Sequence, residues 1–119
     1  MYLTFHSYGQ YILYPYGYKK QDAPTAKDVL EPLAKIGAKA AKEVNGRIYE
    51  TGSAALKLNT AAAGGSDDWA YMKAGLKYSY TIELPPNAKN PGFELPEEEV
   101  EGVGKEAVEM IAAMIRGMK

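Results

Sequence analysis

Apolar and polar positions alternate most cleanly over KYSYTIEL, residues 77–84. There Tyr78, Tyr80, Ile82 and Leu84 share one face, and Lys77, Ser79, Thr81 and Glu83 the other. A period of two predicts a strand with one packed face and one polar face, and Pro85-Pro86 is expected to stop it. Residues 2–5 alternate in the same way, Leu3 and Phe5 against Tyr2 and Thr4, and predict a short strand that ends at His6. Residues 7–23 hold Gly9, Pro15, Gly17 and a polar KKQD run, which reads as an aromatic-lined connection. The period then changes. In TAKDVLEPLAKIGAKAAKEVNG, Leu30, Leu33, Gly37, Ala40, Ala41 and Val44 recur near every 3.6 residues, Thr25 and Asp28 resemble a capping pair, and Asn45-Gly46 closes the helix. Pro32 costs about 3 kcal/mol inside a helix, so either a kink near Glu31 or a late start to the regular part is expected.

Residues 47–58 read as a strand fragment followed by a short turn. NTAAAGGSDDW, residues 59–69, reads as a loop able to bring backbone close to a ligand. From Pro96 to Met118 a last helix is predicted, with Val100, Val103, Val108, Ile111, Ile115 and Met118 as its apolar stripe. Glu97, Glu98 and Glu99 sit at its N-terminal end and Arg116 and Lys119 at the other, which suits the helix dipole. The whole reads as an α/β chain with a long C-terminal helix.

Composition narrows the function classes. Fourteen basic residues against fifteen acidic ones give a formal charge of −1, no electrostatic reason to expect nucleic acid or an anionic membrane as partner. Without cysteine, neither a disulfide nor a thiolate metal site is available. The N-terminal ten residues lack the layout of a signal peptide, and no apolar run reaches the roughly 18 residues of a membrane span. Six of the ten tyrosines (Tyr2, Tyr8, Tyr11, Tyr14, Tyr16 and Tyr18) fall in the first eighteen residues. Such a stretch is either a rigid amphipathic surface for a ligand or a half-buried strand and loop.

His6 and Glu83 each fall at the C-terminal end of a predicted strand, where open α/β sheets place their ligands. If the two strands are parallel neighbours, imidazole and carboxylate meet in one crevice. That pairing suits metal-assisted hydrolysis, the histidine as ligand and the glutamate as base towards water. A satisfied structural histidine and a solvated strand-end glutamate are the alternative.

HSYGQYILYPYGY (6–18), GGSDDWAY (64–71) and KYSYTIEL (77–84) resemble three successive blocks of the zinc carboxypeptidases A and B, in order and with similar spacing, and GFELP (92–96) resembles the approach to that family's last helix. The resemblance implies the C-terminal part of a mixed, mostly parallel sheet flanked by helices, with residues 1–119 as part of a single catalytic domain. It implies one Zn2+ ion with His6 as a ligand, and Glu83 as the catalytic glutamate that serves first as base and then as acid. Ser7 and Tyr8 would line the cleft, and Phe93 would contact substrate upstream of the scissile bond or pack under the Gly92 turn. Asp67 resembles the residue that sets the choice of terminal side chain, and an acid there goes with removal of C-terminal lysine or arginine; the alternatives are a loop cap at Asp67 or Asp68. Gly17 and Ala54 resemble small residues of the same pocket wall. The substrates implied are peptide and protein C-termini, and the location implied is extracellular.

Three departures from the family pattern stand beside this. The family's HxxE zinc ligands and its Arg and Asn clamp for the terminal carboxylate lie upstream of the strand that begins here. With one histidine and no cysteine these 119 residues hold no replacement set. Their expected partner is therefore the remaining N-terminal part of the same domain, and alone they are expected to be inactive. The place of a mobile lid tyrosine is taken by Asn59 or Thr60. Pro85-Pro86 replaces an Arg-Asp pair whose peptide bond is cis in the family, and a cis bond is expected to persist there. Ser7-Tyr8 and Pro15-Tyr16 resemble the family's other two cis positions, where, without proline second, the surrounding structure would have to hold the bond. Carboxypeptidase A-like preference for apolar ends and a non-catalytic peptide-binding relative are the alternative functions.

Overall fold

The computed structural model describes residues 1–87, 89 and 92–119. Strand β1 (Tyr2–Gly9) is followed by β2 (Tyr11–Tyr14), a π-helical turn (Ala26–Leu30), helix α1 (Glu31–Asn45), β3 (Glu50–Ser53), α2 (Ala54–Lys57), α3 (Ser66–Met72), β4 (Ser79–Asn87) and α4 (Glu97–Gly117). The sheet order is β1-β4-β2-β3. The β1/β4 and β2/β3 pairs are parallel and β2/β4 is antiparallel. The last strand in sequence is thus inserted between the first two, which the tight Gly9-Gln10 turn alone would have left adjacent.

The apolar face of β4 builds the core. Tyr80 and Ile82 are fully buried and join Ile12 and Tyr14 of β2, with Leu3 and Leu84 packed at the margin. Against this face lie Leu30, Leu33, Ala34 and Ala41 on the α1 side and Met110 and Met114 of α4. The two long helices approach closely because residue 37 is glycine: a Cβ there would lie 2.8 Å from the Met114 Sδ and 3.1 Å from the Met110 Cγ. Tyr80 donates its hydroxyl hydrogen bond to the Leu30 carbonyl at 3.0 Å, so its burial leaves no polar atom stranded.

Of the two outcomes open for Pro32, the late start is the one found. Regular α-helix begins at Glu31, with Pro32 in the first turn where its missing N–H costs nothing, and the preceding turn is π-helical. Thr25 makes no capping bond; its hydroxyl pairs with that of Tyr71 at 2.9 Å. Gly46, at φ 75°, closes the helix with its N–H on the Lys42 carbonyl.

Five expectations need correction. The connection over residues 7–23 contains β2, whose Ile12, Leu13 and Tyr14 are buried between two other strands; a strand buried on both faces shows no alternation. The loop over residues 59–69 gives way at Ser66 to α3, so Asp67 and Asp68 stand in a helix's first turn. β4 runs through Pro85-Pro86 to Asn87, and β1 runs on past His6 to Gly9, because the two strands resume pairing at Gly9 and Asn87 after a register shift. His6 and Glu83 therefore lie within strands and not at their ends. The buried line of α4 is Val103, Glu106, Met110 and Met114, while Val100, Val108 and Ile115 are more than half exposed. The helix is rotated to bury Glu106. Its carboxylate accepts from Asn45 Nδ2 at 2.9 Å, Arg47 Nε at 3.0 Å and the Tyr49 hydroxyl at 3.4 Å.

Candidate active site

Hydrogen-bond register brings distant residues onto one face of the sheet. His6 of β1 pairs with Glu83 of β4, Glu83 with Tyr11 of β2, and Tyr11 with Glu50 of β3. Register partners project to the same side of a sheet, so these four side chains form a row across it, neighbours about 4.8 Å apart at the backbone. One pleat repeat earlier a second row holds Thr4, Thr81, Leu13 and Gly52. The opposite face carries the core; on the polar face α3 covers β4 at Ser79 and Thr81, which leaves the row at Glu83 to present chemistry.

The His6 imidazole is exposed, and its Nε2 lies 3.0 Å from Thr4 Oγ1, the residue two positions back on the same face. Glu83 is half-buried. Burial pushes its carboxyl above the usual carboxylate range, against the opposing pull of the His6 charge. Ser7 follows on β1, and the Tyr8 ring meets the exposed Phe93 ring edge-on at 5.0 Å. The peptide bonds Ser7-Tyr8, Pro15-Tyr16 and Pro85-Pro86 are all cis.

The two adjacent acids part company. Asp68 is a backbone bracket: its Oδ1 accepts from the Gly17 N–H at 2.9 Å and its Oδ2 from the Tyr18 N–H at 2.8 Å. Asp67 is buried and bonds to Thr81, two residues before Glu83 on the same face; burial raises its pKa, with the neighbouring Asp68 charge adding to the effect. The Asp67 carbonyl accepts from the buried Ser79 hydroxyl at 2.8 Å, which ties α3 to β4. Gly17 and Ala54 meet each other, for a Cβ on Gly17 would lie 3.9 Å from that of Ala54, and the acid standing against Gly17 is Asp68, 3.5 Å away. Asn59, at φ 53°, accepts a hydrogen bond from Lys20 Nζ at 2.8 Å, and Thr60 beside it is exposed.

Thus His6, Glu83, Asp67 and Thr81 share one face, Tyr8 and Phe93 share a contact, and Gly17 and Ala54 gather around Asp68. Sequence reasoning missed Thr81 and Tyr11. Thr81 stood on the Glu83 face of the alternating run, which was the available signal; Tyr11 was hidden inside an apparent connection. Among the described residues no group of three or more His, Asp or Glu side chains is placed to hold a metal ion. A catalytic zinc takes about three protein ligands, so these residues fit such a site only in part, through His6.

The family model described as zinc carboxypeptidase matches residues 1–110. Carboxypeptidase B of Astacus astacus is 43% identical over 119 residues, which is 100% of this chain and 38% of that protein. Carboxypeptidase B of Bos taurus is 41% identical over 107 residues, 90% of this chain and 25% of that protein. Among solved structures, bovine thrombin-activatable fibrinolysis inhibitor in complex with tick carboxypeptidase inhibitor superposes with a TM-score of 0.86 at 34% identity, over 97% of this chain and 38% of that one. The chain therefore spans well under half the length of the relatives it matches. The mixed sheet with flanking helices and a long C-terminal helix is the fold these relatives share.

Proposed function

Because the chain belongs to the zinc carboxypeptidase family, we propose that it carries the catalytic base and one metal-ligand position of an enzyme that removes C-terminal lysine or arginine from peptides and proteins. One observation supports this above all: His6 and Glu83 are register partners on adjacent parallel strands, with their side chains on one face. In this reading residues 1–119 form the C-terminal part of one catalytic domain, and its remaining part supplies the other zinc ligands and the clamp for the terminal carboxylate. The protein acts outside the cell.

Zn2+, when bound, supplies a Lewis acid that polarises water and the scissile carbonyl. With His6 Nε2 engaged by Thr4, Nδ1 is the nitrogen left for the metal, and the threonine holds the ring in that orientation. Glu83 takes the proton of the attacking water and hands it to the leaving amine; burial raises its affinity for the proton it must carry between the two transfers. Ser7 and Tyr8 line the cleft, and Phe93, against Tyr8, extends it upstream. Asp67 recognises the terminal ammonium or guanidinium, which offsets the cost of holding a carboxylate under cover. Gly17 and Ala54 leave room for the long side chain.

The test uses the full-length protein with zinc and peptides that end in Arg, Lys or Phe. Arg and Lys ends are expected to be cleaved preferentially, and Glu83→Gln to lower kcat by about 10²–10⁴-fold with peptide binding kept. A preference for Phe favours the A-like reading, whose support is the bond between Asp67 and Thr81, which occupies the acid internally. Absence of any glutamate-dependent turnover leaves a peptide-binding relative, the reading favoured by Asn59, tied to Lys20 at the lid position.

A further inference from the structure

Tyr11 stands next to Glu83 in the polar row, on the side away from His6. Its ring folds over Gly9: a Cβ at residue 9 would lie 2.6 Å from Tyr11 Cδ2 and 2.7 Å from Cε2, and 3.5 Å from the Glu83 Cβ. The ring therefore fills the space that a side chain at position 9 would take, beside the Glu83 stem. Beyond it opens a recess of about 310 Å³ lined by Gly9, Gln10, Tyr11, Ile48, Glu50 and Asn87, with Lys89 also at its wall.

The recess lies in the direction a bound peptide must take. A terminal side chain on Asp67 lies beside Thr81, and the scissile carbonyl lies beside Glu83, two residues further along β4. Upstream residues then run towards the ends of β4 and β1, at Asn87 and Gly9. Tyr11 lies one strand spacing, about 4.8 Å, from Glu83. The second and third residues upstream of the scissile bond lie about 3.3 and 6.6 Å of extended chain beyond the first, which brings the peptide past Tyr11 to the recess. Its walls select by chemistry. The Tyr11 ring and Ile48, a residue 61% exposed, are apolar. The Glu50 carboxylate is paired with Lys57, so it offers no unpaired acid to a basic side chain, which Lys89 would also repel.

We propose that the Tyr11–Ile48 recess is a second specificity site of the cleft, one that takes a large apolar side chain two or three residues upstream of the scissile bond. It rests on the reading of Glu83 as the group beside that bond. The experiment measures binding of uncleaved peptides to the full-length zinc protein carrying Glu83→Gln. The peptides end in Lys and carry Gly, Leu or Phe at those two upstream positions. Leu or Phe is expected to bind about tenfold more tightly than Gly at one of them. Adding Ile48→Asp brings that ratio to about one, and Ile48→Trp, which fills the recess from its exposed wall, reverses it in favour of Gly. Equal binding of all peptides, or a ratio that survives Ile48→Asp, overturns the proposal. Hydrolysis by the protein with Glu83 intact is followed in parallel: a binding ratio of the expected size without hydrolysis leaves the recess standing and removes the catalytic reading.

Discussion

At the scale of single residues, the adjacent acids of α3 carry the most information. Asp68 spends its oxygens on the N–H groups of Gly17 and Tyr18, whereas Asp67 is buried against Thr81. The folded-state pKa of Asp67 lies above its unfolded value. The stability tied to its proton is therefore present below about pH 4 and is lost as the pH rises through the folded value. Asp67→Asn removes that slope, so the Tm difference, variant minus wild type, is expected to grow between pH 4 and 7; a flat difference across that range contradicts the burial argument. If the acid also selects substrate, Asp67→Ile lowers kcat/KM for Lys-ending peptides by about 100-fold and raises it for Phe-ending ones, by loss of a charge-assisted pair in a covered site. That Glu83 stands on a polar face was legible from alternation alone, although neither it nor His6 ends its strand. Their neighbourhood was not, because the register that sets Tyr11 beside Glu83 belongs to strands 72 residues apart in sequence, and no local pattern encodes it.

At the scale of elements, legibility followed the way each one is buried. β4 is readable because one of its faces packs and the other is polar; the sequence of β2, a strand buried on both sides, carries the signals of a connection. Helix α3 is seven residues long and follows a glycine pair, too short for a period to emerge. Helix α4 is legible as a helix, but its sequence points to the wrong face as the buried one. Valine and isoleucine at positions 100, 108 and 115 suggested the packed stripe, yet the buried line includes Glu106, made tolerable by Asn45, Arg47 and Tyr49. Burying a carboxylate costs several kcal/mol unless partners compensate, and breaking such a cluster by removing one member costs about 3–5 kcal/mol. Glu106→Ala is expected to destabilise the protein by roughly that amount in urea titrations, and Glu106→Gln, which keeps the shape and part of the bonding, by less. Equal losses for the two would mean that shape, not charge, is what the cluster supplies. Gly37→Ala tests the other side of the helix pair: with Met114 Sδ at 2.8 Å from the new Cβ, a loss of about 1–3 kcal/mol is expected.

At the scale of the whole molecule, two layers divide the labour. The helices α1 and α4 cover the apolar face, and the opposite face keeps a polar row in which one imidazole and one carboxylate stand side by side. The family resemblance was readable from three blocks in order, since those blocks coincide with β1–β2, α3 and β4, the segments that frame the polar face. None of the described core packing involves His6. Removing zinc from the full-length protein with a chelator is therefore expected to abolish hydrolysis while leaving far-UV circular dichroism little changed, and added Zn2+ to restore activity. Loss of the helical signal on chelation would show that the metal holds the fold as well as the chemistry.

If Asp67 and the wall near Gly17 form the proposed specificity pocket, the bracket that Asp68 forms on residues 17 and 18 governs how such a molecule changes its diet. It fastens the wall near Gly17 to the same helix turn that carries Asp67, so any tilt of α3 shifts wall and acid together. A new preference reached by moving the backbone would alter size and charge at once. Exchange of the side chain at position 67 alone changes the charge and leaves the wall where it stands.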